Sequence, residues 1–155
     1  MNLHPSQTAA LPGKSRIRVA KQAGDGDFSL ARPVRVYLVE DSPQVRDLLL
    51  DFLNVPNEVE IVGTADNELE SVAAILADPV DVVIVDLKLR EGSGMGVIAK
   101  LRRARMKQQP KIIVFSNHNF NAVRQRAMEL GADHFFDKST EFEAMRAEIY
   151  AVRAH

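Results

Sequence analysis

The chain has 155 residues, of which 46% are apolar and 26% charged, with a formal net charge of −1 and no cysteine. That length suits one domain with a real core, and the near-neutral charge gives no general affinity for nucleic acid. The lack of cysteine excludes disulfides, thiolate nucleophiles and zinc–sulfur sites together. No apolar run approaches the ~20 residues of a membrane span, and the N-terminus lacks the apolar stretch of a secretory signal. A cytoplasmic protein without membrane insertion is therefore expected.

Residues 1–32 differ from the rest. They hold Pro5, Pro12, Gly13, Gly24 and Gly26 and few large apolar groups. Lys14, Arg16, Arg18, Lys21 and Arg32 against Asp25 and Asp27 give them a charge of +3. The composition predicts a flexible N-terminal arm ahead of a domain over residues 33–155. Within the arm, the alternation at Ser15–Val19 allows a short strand.

Val34–Val39 is the first predicted strand, running into Glu40 and Asp41. Ser42 as N-cap and Pro43 at the first helical position then open a helix, whose stripe is Val45, Leu48, Leu49, Phe52 and Leu53. Val59–Gly63 reads as the second strand. Leu69, Val72, Ala73 and Leu76 form the next helical stripe, stopped near Asp78-Pro79. The third strand, Val82–Val85, ends at Asp86. Gly92, Gly94 and Gly96 read as a flexible loop, since no lysine follows as a phosphate-cradling loop demands. The helix after it carries Val97, Leu101 and Ala104 inward. Ile112–Phe115 is the fourth strand and ends at Ser116. Phe120, Val123, Ala127 and Leu130 make the next stripe, with Gly131 as its stop. The fifth strand, Ala132–Phe136, leads through Asp137 to Lys138. Thr140 and Glu143 form a capping box for a last helix with Phe142, Met145 and Ile149 inward.

Five strands alternating with five helices predict an α/β fold, a doubly wound parallel sheet with helices on both faces and right-handed crossovers. Ligands in such sheets bind at the carboxyl ends of the strands. Glu40, Asp41, Asp86, Ser116 and Lys138 would all meet there. Two carboxylates ~4 Å apart repel by about 4 kcal/mol at an effective dielectric of ~20, so the cluster must protonate, spread into water or bind a cation. Oxygen donors favour Mg2+, held by two carboxylates with the backbone carbonyl of Lys88 as a further ligand. A carboxylate beside Mg2+ can attack a phosphoryl donor, with Lys138 and Ser116 holding phosphoryl oxygens. The basic run Lys100, Arg102, Arg103, Arg105 and Lys107 reads as a solvated helix face. The four histidines (His4, His118, His134, His155) are too scattered to form a metal set.

Val-Glu-Asp-Ser at 39–42, Val-Asp-Leu at 85–87 before Gly92-Ser93-Gly94, Phe-Ser at 115–116 and Phe-Phe-Asp-Lys-Ser at 135–139 resemble the receiver domain of bacterial response regulators. The resemblance covers roughly residues 34–152 and lies in the ordered combination of motifs rather than in any one. It implies a flavodoxin-like sheet in the order 2-1-3-4-5. It also implies Asp86 as the phosphoacceptor, Asp41 as the direct metal carboxylate and Glu40 as the one acting through water. Ser116 takes the hydroxyl position, Lys138 that of the phosphate-binding lysine and Phe135 that of the aromatic switch. Phosphorylation would then alter the face made by the fourth helix, fifth strand and fifth helix.

Three residues depart from the family pattern. Ser139 stands where proline usually follows the lysine, Asn117 where a small residue usually follows the hydroxyl, and Arg90 where a proline often follows the acceptor loop. Lys88 and His118, each two residues past a site residue, are expected to tune hydrolysis of the acyl phosphate.

The implied protein is a regulator rather than an enzyme: a stand-alone receiver, or a piece of a longer regulator. Its donor would be a sensor histidine kinase or histidine phosphotransfer protein, docking near Gln44, Val45 and Leu48. Output would pass to a downstream protein target, and a homodimer through the switch face is left open. Three rivals are a phosphorylation-independent adaptor of the same fold, a phosphatase of the haloacid dehalogenase type and a flavodoxin-like FMN carrier. The phosphatase needs an aspartate where Lys88 stands, and the carrier would set Glu40 and Asp41 against its phosphate.

Overall fold

The computed structural model describes residues 32–153. The predicted arm up to residue 31, its candidate strand at Ser15–Val19, and His4 and His155 lie outside the described residues. The elements are β1 (Val34–Val39), α1 (Pro43–Leu53), β2 (Val59–Ala65), α2 (Glu68–Ala77), β3 (Val82–Val85), α3 (Gly94–Arg103), β4 (Lys111–Ser116), α4 (Asn121–Leu130), β5 (His134–Asp137) and α5 (Phe142–Arg153). The strands pair in parallel in the order β2-β1-β3-β4-β5, as the resemblance implies. Among the described residues no helix is long and apolar enough to cross a membrane.

The β-branched runs form strands because each is buried on both faces. Alternate side chains serve opposite layers. Val36, Leu38, Ile84, Ile113 and Phe115 pack with Leu49, Leu53, Met145 and Ile149 of α1 and α5. Val39, Val83, Val85, Ile112 and Val114 pack with Ile75, Val97, Leu101 and Ala127 of α2, α3 and α4.

Several helical phases differ from the sequence reading. In α1 only Leu49 and Leu53 of the predicted stripe are fully buried, while Leu48 and Phe52 are exposed. The five apolar residues span a wider arc than one helix can seat on the sheet, and Phe52 instead meets Phe142 edge-on at 6.2 Å. In α2 most of the stripe is turned outward: Leu69 is 77% exposed and Leu76 and Ala73 are exposed, Val72 packs only at the edge of the core, and Ser71 and Ile75 are buried in it. Ser71 can lie inward because its hydroxyl donates to the Glu68 carbonyl at 3.0 Å. Glu68 is drawn toward α3 by Lys100 at 2.8 Å and by the Ser93 amide at 2.9 Å. Those two polar contacts rotate α2 away from its apolar stripe.

Phe120 precedes α4 as an extended N-cap and is exposed. Ala104 is the C-cap of α3 rather than part of its buried face. The predicted capping box does not open α5. The helix starts at Phe142, and Glu141 Oε1 accepts the Asp137 amide at 2.7 Å. The basic run is not a uniform solvated face either. Arg102 donates to the carbonyls of Gly131 (2.8 Å) and Pro110 (3.0 Å) and to Asp133 Oδ2 (2.9 Å), tying α3 to the segments flanking β4 and preceding β5.

Candidate functional site

Strand register builds the site. Val39 lies level with Val85, and Val85 with Val114. The next residues of β1 and β3, Glu40 and Asp86, therefore emerge side by side, and the Asp86 amide donates to the Val39 carbonyl at 3.0 Å. Leu38 and Ile84 point into the α1/α5 layer, so Glu40 and Asp86, two residues on, project to that same side. Lys138 follows β5, and its amide donates to the Ser116 carbonyl at 3.1 Å.

The side chains meet at this edge. Lys138 Nζ lies 2.7 Å from Asp86 Oδ2 and 3.0 Å from Glu40 Oε1. Carboxylate oxygens of Glu40, Asp41 and Asp86 lie within 4.8 Å of one another. Glu40 is 2% exposed, Asp86 7% and Ser116 fully buried, while Asp41 is half-buried. Burial pushes the Glu40 carboxyl above the usual carboxylate range, against the hydrogen bond from Lys138 and with the charge of Asp86. Burial alone would lower the Lys138 pKa, but its hydrogen bonds and charge attraction to Asp86 and Glu40 outweigh that and raise it. The remaining oxygens are also used: Asp86 Oδ1 accepts the Leu87 amide at 2.7 Å and Glu40 Oε2 the Ser42 amide at 3.1 Å. Three close carboxylates with no sulfur or imidazole fit a hard divalent cation.

The other predicted residues make contacts of their own. Ser116 Oγ accepts the His118 amide at 3.1 Å. The side chains of Lys88 and His118 are exposed. Phe135 is buried in the α2/α3/α4 layer. The Arg124 guanidinium lies 4.6 Å from its ring centre, and Arg124 Nη1 donates to the Phe135 carbonyl at 3.3 Å.

The glycines correct a sequence reading. Their loop is tightly packed rather than a flexible lead into a helix. Gly92 sits at φ +78°, and a Cβ on Gly94 would collide with the Asp86 carbonyl oxygen. The start of α3 thus rests directly on the backbone of Asp86, with Ser93 Oγ accepting the Gly96 amide at 3.0 Å.

Sequence reasoning also missed Asp137. Its Oδ1 accepts the amide (2.7 Å) and the hydroxyl (2.6 Å) of Ser139, and its Oδ2 the side-chain amide of Asn119. These bonds, those from Ser139 above all, hold the Asp137 carboxyl below its usual range. A proline at Ser139 would lack the donated amide, so this loop is closed by a side chain instead. The Asp-x-Ser spacing is an Asx-turn signal that could have revealed it.

The fold and its edge define a flavodoxin-like α/β domain that gathers three acids and one ammonium in a crevice. Residues 36–150 match the protein family described as "Response regulator receiver domain", and the chain belongs to that family of two-component signalling domains. It is 38% identical over 99 residues to a protein-glutamate methylesterase/protein-glutamine glutaminase of Agrobacterium fabrum. The match covers 63% of this chain but only 28% of that relative, so the chain spans about a quarter of its length. Among solved structures it is similar to the signal receiver domain of the response regulator NarL from Mycobacterium tuberculosis (27% identity, TM-score 0.66, covering 77% of this chain and 92% of that one). A LuxR-family response regulator from Aurantimonas shares the fold at 24% identity and TM-score 0.71, over 79% of this chain and 86% of that one.

Proposed function

We propose that this domain is a phosphoryl-accepting switch whose acceptor is Asp86. The observation that carries the reading is the clustering of the Glu40, Asp41 and Asp86 carboxylates at the carboxyl edge of the sheet, with the Lys138 ammonium bridging Glu40 and Asp86. An Asp86 carboxylate oxygen attacks the phosphorus of a phosphohistidine. A P–O bond forms as the P–N bond breaks, and the imidazole leaves with a proton from water. Lys138 and the Ser116 hydroxyl hold phosphoryl oxygens through which negative charge develops. Glu40, Asp41, Asp86 and the Lys88 carbonyl would hold Mg2+, which when bound supplies positive charge to the transferring group.

The donor, a histidine kinase or phosphotransfer protein, has a suitable landing place. Val45, Leu48, Phe52, Phe115 and Phe142 line an apolar groove that reaches Lys138, and apolar helices of a donor could seat there. Signal output uses α4, β5 and α5. Ser116 ends β4, Asn119 sits in the loop that follows it into α4, and Asp137 joins that loop to Ser139. Drawing Ser116 toward a phosphoryl group therefore pulls on the loop that leads into α4, whose Arg124 lies over the Phe135 ring. The altered face then selects a downstream protein or a second copy.

Incubation with acetyl phosphate and Mg2+, followed by intact mass measurement, tests the reading: the protein gains one phosphoryl group, and none in EDTA. No mass gain under either condition sinks it and favours a phosphorylation-independent adaptor. The exposed side chains of Lys88 and His118 flank the site and restrict approach of water to the acyl phosphate. Lys88→Ala and His118→Ala therefore shorten the phosphorylated lifetime, measured by decay of the modified mass. Unchanged decay in both variants removes that role.

A further inference from the structure

Resting on that reading, we propose that the Asp66–Arg90 ion pair is the positioning element of the acceptor loop. It fixes the backbone just beyond Asp86, and so presets the Lys88 carbonyl for the metal.

The segment between β3 and α3 carries buried Leu87 and Leu89 on either side of exposed Lys88. Its outer half is stitched to the connection between β2 and α2. The Arg90 amide donates to the Asp66 carbonyl at 3.1 Å, and the Glu68 amide to the Glu91 carbonyl at 3.0 Å. Asn67 and Glu91 bridge in parallel, so the stitch is a short continuation of strand pairing beyond the sheet. A pairing this short slips readily, and a side-chain clamp closes it. Arg90 Nε donates to Asp66 Oδ2 at 2.9 Å and Nη2 to Oδ1 at 3.0 Å.

Two parallel N–H···O bonds fix orientation as well as distance. The hydrogen bonds donated by Arg90, with a further one from Asn67, hold the Asp66 carboxyl at a pKa of about 2, so the clamp stays charged near neutral pH. The side chains are 56% and 32% exposed, so solvent screening keeps even this forked pair to a modest share of folding stability. The clamp therefore acts on loop geometry. Mg2+ tolerates little deviation from octahedral ligand placement, so a carbonyl two residues before the clamp feels its loss.

The test uses the full chain as wild type, Asp66→Ala, Arg90→Ala, the double variant and Arg90→Lys. Mg2+ affinity is read by calorimetry, loop amide exchange in EDTA by mass spectrometry, and the melting midpoint in EDTA by circular dichroism. Each single alanine variant should bind Mg2+ about tenfold more weakly, the lower end of what outer-shell changes cost. The double variant should be no worse than either single, because the two residues act as one unit. Arg90→Lys keeps the charge, loses the fork and should recover only part of the affinity. The amides of Arg90 and Gly94 should exchange faster while the melting midpoint barely moves. Wild-type affinity in Arg90→Ala overturns the inference alone, and so does an affinity loss matched by a collapsed midpoint. A wild type that binds no Mg2+ sinks the reading of the acidic cluster and this inference with it.

Discussion

Asp86→Asn should take up no phosphoryl group from acetyl phosphate or a phosphohistidine donor under conditions that fully load the wild type. An amide oxygen carries no formal negative charge and forms no stable acyl phosphate, so the loss is complete rather than graded. The substitution preserves shape, and Lys138 keeps its 3.0 Å contact to Glu40. The charge of Asp86 also pushes the Glu40 carboxyl upward, so removing it relieves repulsion as well as deleting an ion pair. The variant should therefore fold normally, and its failure can be assigned to chemistry. Intact mass gives the result and peptide mapping its position. Modification of Asp86→Asn to the wild-type extent, at Glu40 or Asp41, would move the acceptor elsewhere in the cluster.

The site was legible because each of its residues lies at or just past the end of an apolar run. Val34–Val39, Val82–Val85 and Ile112–Phe115 announce parallel strands on their own, and the residue after each strand must lie at the same edge. The phase of α2 was not legible. Leu69, Val72, Ala73 and Leu76 make a good stripe in isolation, yet Glu68 reaches Ser93 and Lys100, respectively 25 and 32 positions on, and turns the helix. No periodicity in a short window contains that contact. The same holds for Arg90, whose partner Asp66 is 24 residues away, and for Asn119 with Asp137. The glycines were misread for a related reason. Gly94 looks like local freedom in sequence but is forced by the close approach of α3 to the Asp86 backbone. Local pattern carries strands and their ends, whereas helix rotation and loop anchoring are set by polar pairs distant in sequence.

Lys138→Met should cost about 3–5 kcal/mol of stability in EDTA, because removing one partner leaves buried charges uncompensated. Glu40 and Asp86 side chains are only 2% and 8% exposed and both point at this ammonium. A domain stable by about 5–15 kcal/mol would lose much of its margin. The direction of each pKa shift sets the pH dependence. The Glu40 carboxyl is raised in the folded state, by burial first. It thus favours folding below its unfolded pKa, and that contribution disappears as pH rises through the folded value. Methionine removes the two influences of Lys138 that lower this pKa, so the folded value climbs further. The stability deficit of the variant should therefore shrink as pH falls from neutral toward the carboxylate range. Lys138 itself is raised, so in the wild type its contribution is complete below its unfolded pKa and fades as pH rises through the folded one. The variant lacks that alkaline decline. Mg2+ should recover much of the loss at neutral pH, since a bound cation stabilises the folded state by mass action and replaces the missing charge among Glu40, Asp41 and Asp86. Urea titrations across pH, with EDTA and with Mg2+, measure all four effects. A variant as stable as wild type in EDTA at neutral pH would mean that Lys138 does not neutralise the acids, and the electrostatic account of this crevice would fail with it.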